Sequence, residues 1–461
     1  MPVDYDLAIL GGTPEGRIAA IAAAKTGARI ALVEPPLAWQ QQVYVDTLQQ
    51  GLVTGMGSTW EAARAWAHLA TYAQAERISL AAIAALGVDV VADSSAFQPG
   101  RRPTLQTAQR SLRARGYLLA TGAVSQRPPI AGLAAAQPLS LVELAQRASL
   151  PRRVGLIGHQ SMAVEWAFAL AQAGSQVTLI LTDDHFLGAE DGDIRRLLGQ
   201  QLRAAGVQIV LQRQIDALQV EQGRNGPIQI CVGAEQIEID QLVLASRDRP
   251  NLDALNLSVL PLQSSSRGLR VNRWLQTEHP RIYAIGAVLG GEDRQALAAE
   301  EAQIAVHNAL FWNCETVAYA YIPYGLTTPN EVGRVGLTEQ QARQRYGDRA
   351  QVCHRSSVPL DATTAGDVNF CKLIYLEGSQ QLVGVHLMGL GARSLVYGLA
   401  AAIQRRALSL AALARQQPEP QTLAALMHQA AQPQSNRQWQ AGQWRRDWAE
   451  NWFNWQRSRE S

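Results

Sequence analysis

The octapeptide ILGGTPEG at residues 9–16 sets Gly11, Gly12 and Gly16 between an apolar run and an alanine-rich stretch. Those residue types let a strand–turn–helix wrap a dinucleotide pyrophosphate. The fingerprint asks for glycine at its first, third and sixth places; here they hold Gly11, Thr13 and Gly16, with Pro14 and Glu15 between. Glu34 ends the next apolar run, where a ribose hydroxyl expects an acidic acceptor. Amides at the helix start, helped by the helix dipole, offer an anion site. Thr13 adds a β-carbon near the expected pyrophosphate, while Gly12 beside it can relax the turn. The alternative is a vestigial turn that only packs helix on strand.

A second turn of the same design, GHQSMAVE at 158–165, keeps Gly158 and Glu165 but has Gln160 and Ala163 at the other glycine places. Leu181 stands where the acid should end the following strand. Glutamine at the closest approach should obstruct a pyrophosphate held in the usual pose. This unit therefore reads either as a scaffold kept for packing or as a pocket remodelled for another ligand. The four cysteines, Cys231, Cys314, Cys353 and Cys371, contain no CxxC and no close pair. That pattern gives no metal site and no disulfide framework, and suits a reducing compartment. Near the C-terminus Trp444, Trp448, Trp452 and Trp455 recur at helical spacing and would form one stripe. The stripe is open to three readings: a clamp on the body or a dimer mate, a stack over a planar ligand, or a docking face for a partner or membrane surface.

The elements around these residues are legible. DLAIL, the glycine turn, a helix closing near Gly27 and RIALVE form a βαβ unit; PRRVGLIGHQSMAVEWAFALAQAGSQVTLIL restarts the pattern at 151. Residues 58–87 look helical, and 89–97 and 104–122 look like strands. RIYAIGAV returns the chain before a helix over 292–312, and QPQSNRQ looks like a linker to the tryptophan tail. Two such units argue for two doubly wound domains. A chain of 461 residues has room for two to four domains, and 17% charged residues argue against disorder. A net charge of +2 gives no case for nucleic acid. No uncharged apolar run is long enough to span a bilayer. With Asp4 and Asp6 leading straight into the first strand, no signal peptide is expected, and the expected location is cytoplasmic.

YLLATGAVSQRPPIAGL (117–133) resembles the ATG segment of flavoprotein disulfide reductases, the class I pyridine nucleotide-disulfide oxidoreductases that include the dihydrolipoamide dehydrogenase and mercuric reductase types. LVLASRDRPN (242–251) is similar to the family's second such motif, and HPRIYAIGAV (279–288) to the strand that meets the flavin's ribityl chain. IPYGLTTPNEVGRVGLTEQQA (322–342) and LVGVHLMGLGARSLV (382–396) resemble parts of the family's dimerisation domain. The resemblance implies an α/β fold of two Rossmann-like doubly wound domains plus a C-terminal α+β dimerisation domain. It also implies a homodimer with one FAD per subunit held by Gly11, Gly12, Thr13, Pro14, Glu15, Gly16, Glu34, Ala120, Thr121, Gly122, Gly286 and Ala287. The boundaries it suggests are 1–148 and 254–319 for the FAD domain and 149–253 for a degenerate NAD(P)-type domain. Residues 320–432 then form the dimerisation domain and 433–461 the tail.

Several family features are missing. The GGTCxxxxGC stretch corresponds to PPLAWQQQVYVDTLQQG, without a cysteine; Trp39 and Tyr44 share the spacing of the absent pair and read as packing aromatics or as rings near the flavin. The family's HPTxxE corresponds to PEPQTLAALMHQ, with Pro420 at the histidine, Ala425 at the glutamate and Thr422 retained. His428 is out of register and reads as a surface or interface histidine. Ala287 replaces the aspartate usual near the ribityl chain. No residue is assigned a catalytic role. The expected activity is flavin-mediated electron transfer to a non-disulfide acceptor, with donor and acceptor unnamed. Two alternatives stand beside it. One is a non-catalytic, flavin-stabilised binding or assembly protein. The other is a diflavin protein similar to the cyanobacterial diflavin-linked disulfide oxidoreductases, its second ligand near Gly158, Gln160, Ala163, Trp444, Trp448 and Trp452.

Overall fold

The computed structural model describes residues 3–34, 38–57, 59–100, 102–125, 127–182, 186–212, 215, 217–220, 227–245, 249–265, 268–290, 295–358, 368–441, 452 and 455–457. The chain forms two compact units, one of residues 1–188 and 205–319, the other of 189–204 and 320–461.

The first unit begins β1 (Tyr5–Leu10), α1 (Pro14–Ala24), β2 (Ile30–Val33), α2 (Ala38–Val53), α3 (Trp60–Arg77), α4 (Leu80–Ala85) and β3 (Asp89–Val91). An antiparallel meander follows, β4 (Ser95–Phe97), β5 (Leu105–Thr107) and β6 (Ser111–Leu112), then β7 (Ala114–Leu119) and β8 (Ala123–Val124). The second half repeats the plan with β9 (Leu139–Ser140), α5 (Leu141–Ala145), β10 (Arg153–Ile157), α6 (Ser161–Gln172), β11 (Gln176–Leu181) and β12 (Gln208–Leu211); between the last two strands, α7 (Gly192–Ala204) belongs to the other unit. Its meander is β13 (Ala217–Val220), β14 (Ile228–Val232) and β15 (Glu235–Ile239), before β16 (Gln241–Leu244). The return segment holds β17 (Arg249–Pro250), β18 (Ser264–Ser265), β19 (Gly268–Leu269), β20 (Ile282–Ala284) and α8 (Gln295–Leu310). The two main sheets are parallel, in the orders β20-β7-β1-β2-β3 and β12-β11-β10-β16-β9. Both faces are covered, so β1 and β10 are near-continuous apolar runs with no polar alternation. Ala19, Ala20 and Ala23 let α1 lie close on its sheet. Since β1 sits between β2 and β7, a crevice opens beyond its C-terminal end, the switch point of a doubly wound sheet.

The second unit is an antiparallel sheet of β21 (Tyr324–Leu326), β22 (Val332–Gly336), β25 (Leu382–Met388), β24 (Asn369–Leu376) and β23 (Ala350–Ser357), in that spatial order. Helices α9 (Glu339–Tyr346), α10 (Ala392–Gln404), α11 (Leu410–Arg415) and α12 (Leu423–Ala441) complete it, with α7. Inside it the nearly inaccessible Lys372 Nζ meets Asp191 at 2.7 Å, Asp193 at 2.8 Å and Glu339 at 2.6 Å. Burial opposes the ammonium charge, but the carboxylates outweigh it and hold the lysine above its ordinary pKa. Buried His386 bonds Leu337 O through Nε2 at 3.0 Å, and burial pulls its imidazole down to about 4.

Three local expectations change. Residues 58–87 hold two helices, broken at Ile78–Ser79, where Ser79 caps α4 through Ala82 N at 3.1 Å. The 104–122 stretch folds back on itself as β5 and β6 before β7. The expected linker at QPQSNRQ continues α12, with Pro433 inside the helix. Proline costs a helix one amide donor, but the buried Leu426, Met427, Ala430 and Ala431 anchor α12 just before it.

His386 gives a pH test. Its folded pKa lies below the usual 6.5, so the unfolded chain takes up its proton first and stability falls on acidification from about 6.5 towards 4. Asp191, Arg334 and Lys372 face the ring and are unchanged in the variant His386→Gln, which keeps a donor for Leu337 O but titrates nothing. In urea titrations at several pH values, the wild-type chain should lose about 1.4 kcal/mol per pH unit relative to the variant across that window. Parallel pH profiles would show that His386 is not the group responsible.

Candidate functional site

Beyond β1 lies a cleft of about 270 Å³, with walls that include Gly11, Thr13, Glu34, Gly122, Asn251 and Ala287. Gly11 has φ +111°, and a β-carbon there would lie 2.1 Å from Ala120 O. Thr13, at the unexpected place, N-caps α1. Its hydroxyl accepts from Gly16 N at 3.3 Å and donates to Ala120 O at 2.9 Å, and Pro14 follows at the first helical position. The hydroxyl thus fastens the turn to the strand end after β7, which a glycine cannot do.

Arg17, the first residue after the fingerprint, is buried and reaches three ways. Its Nε donates to Gly12 O at 3.1 Å, one terminal nitrogen donates to Ile78 O at 2.7 Å, and the other pairs with Glu34 Oε1. Burial pushes the Glu34 carboxyl up and the Arg17 guanidinium down, each partly opposed by the other's charge. Glu34 Oε2 is buried and has no hydrogen-bond partner. It lies so close to Gly12 that a β-carbon there would fall 1.6 Å from it. Arg17 was not singled out in the sequence; the signal was a lone cation in the alanine-rich α1.

The ATG segment is tied to the return strand. Thr121 Oγ1 donates to Asn251 O at 2.6 Å, Asn251 N to Gly122 O at 2.9 Å, and Asn251 Nδ2 to Thr121 O at 3.2 Å. Opposite, Glu301 of α8 accepts from Gly286 N at 2.7 Å and from the Tyr319 hydroxyl at 3.0 Å, fixing the turn that presents Ala287. Burial lifts the Glu301 carboxyl above its ordinary pKa.

Backbone register aligns the two turns. Gly11 N donates to Val33 O at 2.8 Å and Gly158 N to Ile180 O at 3.0 Å, so Leu181 occupies the place of Glu34. By the same alignment Val164 replaces Arg17, and both apolar residues are buried. Gln160 N-caps α6 without a side-chain bond, and His159 Nδ1 lies 2.5 Å from Thr182 Oγ1. Ala163, fully buried, packs where the third glycine would.

Residues 5–309 match the pyridine nucleotide-disulphide oxidoreductase family, and 322–428 match its dimerisation domain. The chain belongs to this family. It is 28% identical to a mercuric reductase of Staphylococcus aureus over 87% of this chain and 77% of that one. It is 26% identical to a glutathione reductase of Burkholderia cepacia over 88% and 93%. Among solved structures, the HOCl-induced flavoprotein disulfide reductase RclA from Escherichia coli superposes with a TM-score of 0.79 at 21% identity, covering 93% of this chain and 99% of that one. LpdA from Mycobacterium tuberculosis gives 0.77 at 22%.

This oxidoreductase puts no cysteine among the described residues lining its cleft. From α2 the cleft receives Gln42 and Asp46, joined by a 2.8 Å hydrogen bond; neither was anticipated, nor were Ser94 and Ser95, which also line it. Tyr44 stacks on His68 of α3 at 4.3 Å, which favours the packing reading; the Trp39 side chain lies outside the described residues. Cys353 and Cys371 are buried, which pushes the first thiol up to about 12 and the second well above its usual value. Both therefore stay protonated and unreactive at neutral pH. Thr422 caps α12 through Ala425 N at 3.1 Å, a local reason for that residue. His428 is half-buried against Leu413 O at 3.1 Å, engaged within its own unit. Trp444 and Trp448 lie outside the described residues; the Trp452 and Trp455 rings stand 5.0 Å apart.

The comparison of turns yields a stability test. Arg17→Leu leaves Glu34 buried without its cation and should cost about 3–5 kcal/mol. Adding Glu34→Leu, which copies the apolar second turn, should recover most of that loss in a denaturation experiment. Additive losses in the double variant would mean the two side chains are not energetically coupled.

Proposed function

We propose that this chain binds one FAD per subunit in the first unit and passes electrons through the flavin to an acceptor that is not a disulfide, as a homodimer formed by the C-terminal domain. The observation carrying the cofactor reading is the unpartnered, buried Glu34 Oε2 beside Gly12, an acceptor waiting for a ribose hydroxyl. Gly11 to Gly16, with the N-terminus of α1, would face the pyrophosphate, and Gly122, Asn251 and Ala287 the remainder. The bound flavin would supply the redox chemistry. The residues of this chain would hold it, exclude water and set its potential through the groups nearby.

Two observations favour a non-disulfide acceptor. No thiol is present between residues 34 and 58, and Pro420 and Ala425 stand where an acid/base histidine–glutamate pair would be. Without thiolates there is no dithiol relay. At the second turn, Leu181 offers a nucleotide ribose no acceptor, and loss of one charge-assisted hydrogen bond is worth about 1.5–3 kcal/mol, or about ten- to a hundredfold in affinity. NADH and NADPH are therefore expected to be poor donors.

The purified protein should carry one flavin per subunit, read from its visible spectrum. Gly12→Val should remove the flavin while leaving the far-ultraviolet circular dichroism unchanged. Lipoamide, glutathione disulfide and thioredoxin should not be reduced with either nicotinamide cofactor. Colourless protein under excess FAD would overturn the cofactor reading, and disulfide turnover by the holoprotein would overturn the acceptor reading.

A further inference from the structure

On the face of α2 away from Gln42 and Asp46, a second cavity of about 370 Å³ opens between α2, α3 and α5, with Tyr44, Arg64, His68, Thr71 and Tyr72 in its wall. Three buried polar atoms in this wall make no hydrogen bond: Tyr44 Oη, Arg64 Nε and Thr71 Oγ1. Buried polar atoms are nearly always paired, and each unpaired one is costly. The threonine is the most telling. Thr47 on α2 and Thr54, one residue past its end, bond back to carbonyls four residues earlier, at 2.7 and 2.8 Å, as helical threonines do. Thr71, also helical and only 8% exposed, forgoes that bond and lines the cavity.

The chemistry is specific in sign and shape. Arg64 is cationic and can only donate, and the two hydroxyls can donate as well. No acidic residue is among the described residues that line the cavity. The stacked Tyr44 and His68 rings, 4.3 Å apart at 26°, make a flat wall, and the largely exposed Tyr72 stands at the rim. Ala75 and Ala145 add apolar surface. We propose that this pocket binds a planar aromatic carboxylate, its carboxylate taking hydrogen bonds from Arg64, Tyr44 and Thr71 and its ring lying against the aromatic wall. A single cation beside an apolar wall suits a monoanion with an apolar body better than a multiply charged phosphate.

The test is calorimetric titration of the full-length protein, as purified, with 4-hydroxybenzoate, and with acetate, benzyl alcohol and inorganic phosphate as controls. The aromatic acid should bind with a Kd at or below about 1 mM, and the controls at least about tenfold more weakly. Arg64→Gln should weaken binding about tenfold or more, and Tyr44→Phe about three- to tenfold. Because these polar atoms are unpartnered in the free protein, Tyr44→Phe and Thr71→Val should melt no lower than the wild type. A group retained for structure would instead lower the melting temperature when removed. The proposal fails if 4-hydroxybenzoate gives no saturable heat up to about 10 mM, including because a second copy of the chain covers the pocket. It fails equally if phosphate binds more tightly, if both variants bind like wild type, or if the two conservative variants melt lower.

Discussion

The buried contact between Arg17 and Glu34 is the constraint on which the cleft beyond β1 depends. One guanidinium ties the glycine turn through Gly12 O, the end of α3 through Ile78 O, and the end of β2 through Glu34. Three separate stretches of chain are thereby fixed around one planar group, which arginine's rigid fork suits better than lysine's point charge. The arrangement also decides the state of the acid. Burial favours a neutral carboxyl, and the neighbouring cation is what opposes it. One oxygen is thus committed to the protein while the other is buried without a hydrogen-bond partner.

The second nucleotide-type turn shows what the same backbone does when that constraint is dropped. Both the cation and the carboxylate have apolar counterparts there, Val164 and Leu181, so neither place holds a buried charge. Half of the exchange would strand a charge in a dry interior. The strand–turn–helix geometry survives because it rests on parallel register and on small residues at the helix–strand contact. The strand–turn–helix of the second turn therefore persists with two apolar side chains where the first carries its ion pair. At α2 the helix lines the cleft with an amide and a carboxylate, Gln42 and Asp46, which are bonded to each other.

Much of this was legible in the sequence. Continuous apolar strands and glycine turns announced both parallel sheets, because fully buried strands and sharp turns leave few residue choices. Glu34, Gly11 and the ATG segment were visible for the same reason, each being required by backbone geometry or by one acceptor position. Arg17, Gln42, Asp46 and Glu301 were not, since helical periodicity gives the side a residue faces but not the partner it meets across space. Pro433 misled because a proline signals a break only when no buried anchor holds the helix before it, and that packing is not written locally. Thr13 was the instructive ambiguity. As a missing glycine it looked like decay, but its hydroxyl is the cap of α1 and a strut to Ala120.

The lysine knot of the second unit bears on modularity. Two of the three carboxylates around Lys372, Asp191 and Asp193, come from the stretch between β11 and β12, more than a hundred residues ahead of β21. The unit is therefore interleaved in the gene, and no single cut yields it whole. A fragment starting near residue 320 would keep Glu339 as the lysine's only acidic neighbour of the three and would lack α7 altogether. Exchanging this unit between relatives by one crossover would likewise import a lysine without its counter-charges, so recombination at that boundary is physically disfavoured even where the sequence break looks clean.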